Sequence, residues 1–195
     1  GRVGLIDGQY WFTNFNPGNS NESIFEIQYN YNQGQTNDIF KWFETNNKYI
    51  ISNFAFSLFL NTESIGDKRG NGSSYLPSTG KIWKYIGLVP YQSSTAVRSA
   101  STQNDNNFII YRLADIYLMK AEALTMKGQY NDAAQIVDRI RKRAGIVEQM
   151  AIESNERAML NLILNERCRE FLAEGKRWFD LLRVARRNNY EYKDY

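Results

Sequence analysis

The run FIIYRLADIYLMKAEALTMKGQYNDAAQIVDRIRKRAG, residues 108–145, limits the possible folds more than any other part of the chain. Ile110, Leu113, Ala114, Tyr117, Leu118, Ala121 and Leu124 recur at the three- and four-residue spacing of one helical face. This predicts a helix from about residue 108 that stops at Gly128. A second helix follows, with Asn131 as its expected N-cap and Gly145 as its stop. Two helices joined by so short a turn must pack as an antiparallel hairpin. A third helix is expected over about 155–174 and a fourth over about 177–187, paired across Gly175.

Within the first hairpin, MKGQYNDAA resembles the turn of a tetratricopeptide repeat. There a glycine closes one helix, an aromatic fills the corner and alanines let the helices approach. Stacks of this kind usually need three or more units, and this chain has two. The expectation is either the C-terminal part of a longer protein or a first half that caps the stack. The sequence therefore divides into an irregular region, 1–107, a helical region, 108–187, and a tail, 188–195, within one structural domain.

Residues 1–107 hold 15 of the 21 asparagines and 18 of the 28 aromatics, so turns should outnumber long elements there. ESIFEIQYN (22–30) alternates as a strand does. NFAFSLFL (53–60) fits a short buried helix or a strand. SIGDKRGNGSS (64–74) reads as a turn-rich loop and KIWKYI (81–86) as a second strand, with Trp83 and Tyr85 in the core.

The segment NERCREFLAEGKRWFDLL (165–182) breaks the usual pattern. Leu160, Ile163, Leu164 and Phe171 share one helical stripe, with Cys168 at its edge as a small core hydrophobe. Arg167 and Glu174 fall inside that stripe, where a surface helix carries no charge. The expected explanation is an internal ion-pair network of Arg167, Glu170, Glu174, Arg177, Asp180 and Arg183, joined across the bundle by Arg112 and Glu122. An unpaired charge there would cost several kcal/mol, on the order of the desolvation of one ion. Trp178 is expected on the apolar face of the last helix, in the core. The alternative reading, Glu170 and Glu174 as a glycosidase pair, is disfavoured by the arginines around them, which work against a general acid.

Composition removes much of enzyme chemistry. The 195 residues contain no histidine, which excludes a Ser-His-Asp triad and histidine metal sites; one cysteine excludes an intrachain disulfide. No metal or cofactor is expected. A net charge of +3 gives no reason to expect nucleic acid, and the basic clusters RIRKR (139–143) and RVARR (183–187) are read as solvated faces.

ESIFEIQYN, GDKR, WKY, YRLADIYLMKAEALTMKGQYNDAAQIVDRIRKRAG and ILNERCREFLAEGKRWFDLLR, in this order, resemble the SusD/RagB family. The resemblance covers roughly residues 20–187. It implies a mainly α fold, with tetratricopeptide-type hairpins carrying an irregular part with short strands. It also implies a non-catalytic lipoprotein of the Bacteroidetes outer-membrane surface. Such a protein captures a glycan or oligosaccharide and delivers it to a SusC-type TonB-dependent transporter. The family's N-terminal half, with its lipid-anchored cysteine, has no counterpart in these residues, so membrane attachment would be through an anchor outside them.

A sugar site needs aromatic platforms flanked by amide and carboxylate hydrogen-bonders. The stretch 28–49 has that composition: Tyr31, Trp42 and Tyr49 as platforms, with Asn30, Asn32, Gln35, Asn46 and Asn47 as polar contacts. Tyr10 and Trp11 form a second candidate. A helical-repeat module binding a protein partner without sugar is the alternative function, and a carboxylate-based hydrolase the third.

Overall fold

The computed structural model describes residues 3–45, 49–99 and 104–190. The chain is mainly α. Its elements are β1 (Ser23–Ile27), α1 (Asn53–Glu63), β2 (Phe108–Arg112), α2 (Leu113–Met126), α3 (Tyr130–Ala144), α4 (Glu156–Glu170) and α5 (Arg177–Arg187). Short 3-10 turns at Gly8–Asn14 and Tyr31–Gln33 and a π-turn at Lys41–Thr45 punctuate the first part.

The two hairpins form with their glycines in place. Gly128 and Gly145 follow α2 and α3 at φ 73° and 101°, and Gly175 lies before α5 at φ 74°, a left-handed backbone that glycine adopts without a Cβ clash. Gly145 has a second reason to be glycine: a Cβ there would stand 2.5 Å from the Gly66 carbonyl oxygen. That close approach lets Lys68 N–H donate to Ala144 O at 2.8 Å, pinning the GDKR loop to the end of α3. Ser52 and Asn155 cap α1 and α4 through side-chain oxygens. NFAFSLFL is thereby helix, not strand.

Four expectations are corrected. Phe108–Arg112 is strand, not the first turn of α2; it pairs antiparallel with β1, with Glu26 opposite Ile109. The β-branched pair Ile109–Ile110 suits a strand, and neighbouring β1 supplies the partner that periodicity could not see. α3 starts two residues early, with Gln129 rather than Asn131 at the N-cap position. α4 ends at Glu170, so 171–175 is a tight turn instead of helix. KIWKYI makes only isolated bridges, Ile50 with Lys81 and Tyr75 with Ile82, before turning. Trp83 and Tyr85 are nonetheless core, each 1% exposed.

Two large apolar clusters result among the described residues, beside a small one of Leu160, Leu164 and Val184 between α4 and α5. One gathers Trp11, Phe15, Phe43, Phe59, Trp83 and Tyr85 from the irregular part with Ile109 and Cys168. Phe43 stacks on Tyr85 at 5.5 Å between centroids. The other fills the α2–α3–α4 interface with Leu118, Val137, Ile140, Met159 and Ile163 around Ala114, Ala121, Ala133 and Ala134. The alanines allow close helix approach, as the repeat-like turn implied. No helix among the described residues is long and apolar enough to cross a membrane.

Candidate functional site

Two charged lattices lie inside the molecule. In the first, Arg167 donates through Nε to Asp180 (2.8 Å) and through Nη2 to Asp115 (2.9 Å). Asp115 also holds Lys176 at 2.8 Å, and Asp180 holds Arg183, which forks onto Glu122 at 2.6 and 2.9 Å. The order Lys176, Asp115, Arg167, Asp180, Arg183, Glu122 alternates in sign and stitches α2, α4 and α5 together.

The second lattice centres on Arg112, 1% exposed. It forks onto Glu174 at 2.9 and 3.0 Å and reaches Glu22 at 2.6 Å and Glu170 at 2.5 Å. Arg143 pairs with Glu22 and Glu170, and Lys84 with Glu174 at 2.8 Å. Arg69 enters from the pinned GDKR loop, clamped by Asp67 and donating to Glu166 (2.7 Å) and Glu170 (2.8 Å). Arg169 closes the edge on Glu166. Arg112, Arg143, Lys84, Arg69 and Arg169 thus face Glu22, Glu174, Glu170, Glu166 and Asp67, and Arg141 joins at the edge between Glu166 (3.9 Å) and Asp138 (3.7 Å), so the formal charges cancel.

Burial alone would push the Glu170 carboxyl up, but Arg143, Arg112 and Arg69 outweigh it and hold it well below the ordinary carboxylate range. Glu174 is likewise held down against burial, by Arg112 and Lys84. Burial pushes the Lys84 ammonium down despite Glu174. A general acid must carry a proton and reach substrate; these two carboxylates are ionised and enclosed.

Of the residues expected in one network, Arg112, Glu170 and Glu174 fall in the second lattice and Arg167, Asp180, Arg183 and Glu122 in the first, with other partners than expected. Arg167 bonds Asp115 and Asp180, not Glu170 or Glu174. Arg177 does not join: it donates to Leu164 O at 3.2 Å and lies 5.3 Å over the Phe54 ring. The cluster RIRKR is not a solvated face throughout, because Arg141 is 9% exposed and Arg143 is bound to buried carboxylates. Arg69, Lys84, Glu22 and Asp115 were not foreseen. Arg69 and Lys84 sit in loops, where helical periodicity gives no signal.

An open cleft of about 480 Å³ lies on the other side of Arg167, inside the range of small-molecule sites. Its floor is apolar and packed: Phe43, Ile51, Cys168, Phe171 and Leu172. Exposed rings stand around it: Trp42 (44%), Tyr49 (56%), Phe54 (47%) and Trp178 (68%). Trp42 and Tyr49 meet edge to face at 6.3 Å.

Of the residues expected at a ligand site, the structure brings Trp42 and Tyr49 together here. Trp11 is core, 3% exposed, with its indole N–H 3.5 Å from Glu170 Oε1. Tyr10 is exposed beside a separate polar hollow with Asp7, Asn19 and Asn21. Tyr31, Asn30, Asn32 and Gln35 are exposed but do not line the cleft. Asn46 and Asn47 lie outside the described residues.

Trp178 reverses its expected place, standing in solvent at the cleft rim. The signal was legible: Asp180 and Trp178 are two residues apart, about 200° around a helix. Asp180 and Val184 face inward, which forces Trp178 outward.

The sequence model of the SusD family matches residues 41–195. The chain belongs to the SusD family. It is 38% identical over 88 residues to SusD-like protein P38 of Formosa agariphila, 42% of this chain and 18% of that protein. It is 32% identical over 95 residues to the starch-binding protein SusD of Bacteroides thetaiotaomicron, 49% of this chain and 16% of that protein. A SusD superfamily crystal structure from Bacteroides fragilis overlays with a TM-score of 0.67 at 20% identity. That overlay covers 92% of this chain and 44% of the other, so the chain spans less than half of that structure.

Proposed function

We propose that the protein captures an oligosaccharide, without chemical change, in the cleft framed by Trp42, Tyr49, Phe54 and Trp178. The observation that carries this reading is the ring of exposed aromatics around one cleft whose floor is fixed by core packing. Sugars present flat C–H faces that stack on such rings, and a rigid floor spares the cost of ordering the site on binding. Family membership and the starch-binding relative favour a glycan over a protein ligand. The rims come from both parts of the chain: Trp42, Tyr49 and Phe54 from the irregular region and Trp178 from the helical one.

In the whole protein this capture would take place at the bacterial outer-membrane surface, held there by a lipid anchor. The glycan would pass to a SusC-type TonB-dependent transporter. Tryptophan fluorescence against an oligosaccharide panel tests the binding step. Quenching by at least one glycan class, lost in Trp42→Ala, is expected, with no release of reducing ends. Copurification of the full-length protein with such a transporter tests delivery.

A further inference from the structure

The cleft differs from its neighbours in charge. Arg167, Lys176 and Arg177 line it, and among the described residues its lining contains no carboxylate. The hollow across Arg167, along β2 and α5, also has Arg167, Lys176 and Arg183, but there Asp115, Glu174 and Asp180 balance them. Around the cleft the three cations are committed to different degrees. Lys176 is held by Asp115. Arg167 spends Nε and Nη2 on Asp180 and Asp115, yet its Nη1 is buried without a hydrogen-bond partner. Arg177 uses one nitrogen on a carbonyl, and among the described residues no carboxylate stands within ion-pair distance of it. Its guanidinium keeps most of its five donors for something else.

The first turn of α5 opens on the same place. Gly175, Lys176, Arg177 and Trp178 line the cleft, and no side chain caps the eleven-residue helix. Its leading N–H groups and the positive end of its dipole therefore lie where Arg177 also lies. The first-turn carboxylate, Asp180, is turned inward and already taken by Arg167 and Arg183.

We propose that the cleft selects an oligosaccharide bearing an anionic group, a uronate carboxylate or a sulfate ester, held by Arg177 and the open start of α5 while the sugar rings stack on Trp42, Tyr49 and Trp178. This rests on the glycan reading above and narrows it to a charge class. A guanidinium fork matches the paired oxygens of either group. Neutral sugars can stack on the same rings, so the charge sets preference rather than binding as such. Because the cleft is open, the preference is sensitive to salt.

Matched ligand pairs test it: tetragalacturonate against its methyl ester, and a sulfated carrageenan oligosaccharide against its desulfated form. Affinity is read by tryptophan fluorescence and calorimetry at low and high salt. The expected result is that the charged member of at least one pair binds roughly tenfold more tightly at low salt, about 1.4 kcal/mol. That gap narrows with salt. It closes in Arg177→Gln and is partly kept in Arg177→Lys. Thermal melting of both variants confirms that they fold. Which pair shows the gap separates carboxylate from sulfate. Neutral members binding as well as charged ones, or a gap untouched by Arg177→Gln, overturns the charge preference and leaves glycan capture standing. No binding by any member overturns both.

Discussion

Arg112 and Arg177 are the same residue type, and the molecule uses them in opposite ways. Arg112 lies at the join of β2 and α2 and meets three carboxylates in full burial. Arg177 lies at the start of α5, half-buried, beside exposed aromatic rings and, among the described residues, no carboxylate. Around Arg112 charge is cancelled and water excluded, so the lattice locks the packing of loops onto helices. Around Arg177 no carboxylate among the described residues cancels the charge, and the anionic ligand we propose would do so. The number of carboxylates that the fold delivers to a guanidinium decides its role.

Acid should separate the two regions most strongly. Asp67, Asp115, Glu166, Glu170 and Glu174 are all held ionised below their ordinary range; burial opposes this in each and the facing cations outweigh it. Such groups bind protons more weakly folded than unfolded. Their stabilisation is whole above the unfolded values near about 4 and drains as pH falls through the folded ones. Urea midpoints should be flat from about pH 6 to 5 and collapse below about pH 4. A flat profile to pH 3 would mean that the carboxylates are not held as the structure has them.

Arg112→Met comes next. It leaves Glu22, Glu170 and Glu174 short of a partner, a loss of about 3–5 kcal/mol, or roughly 10 °C in Tm. Arg167→Met should cost less, several degrees, because Asp115 keeps Lys176 and Asp180 keeps Arg183. Equal losses in the two variants would erase the distinction between the lattices. At the other extreme, Trp178→Ala should move stability by only about 0.5 kcal/mol, as an exposed position does, and half-buried Arg177→Gln by about 1 kcal/mol at most. A loss of several degrees from Trp178→Ala would return that ring to the core.

The repetition of apolar residues and the glycine stops by themselves determined α2 to α5 and their pairing, because helices and their ends are written in local spacing. Charges inside an apolar stripe announced a buried network for the same reason. The sequence alone could not choose the partners. Arg69 reaches Glu166 and Glu170 across about a hundred residues of chain because Gly145 lets the GDKR loop close on α3. Strand β2 was hidden because its pairing partner lies some eighty residues earlier. The cleft belongs wholly to the tertiary structure: Trp42 and Tyr49 come to Trp178 only when the irregular region folds onto the turn before α5. Composition marked two of those rings; the third faces out because Asp180 and Val184 on the same helix face in.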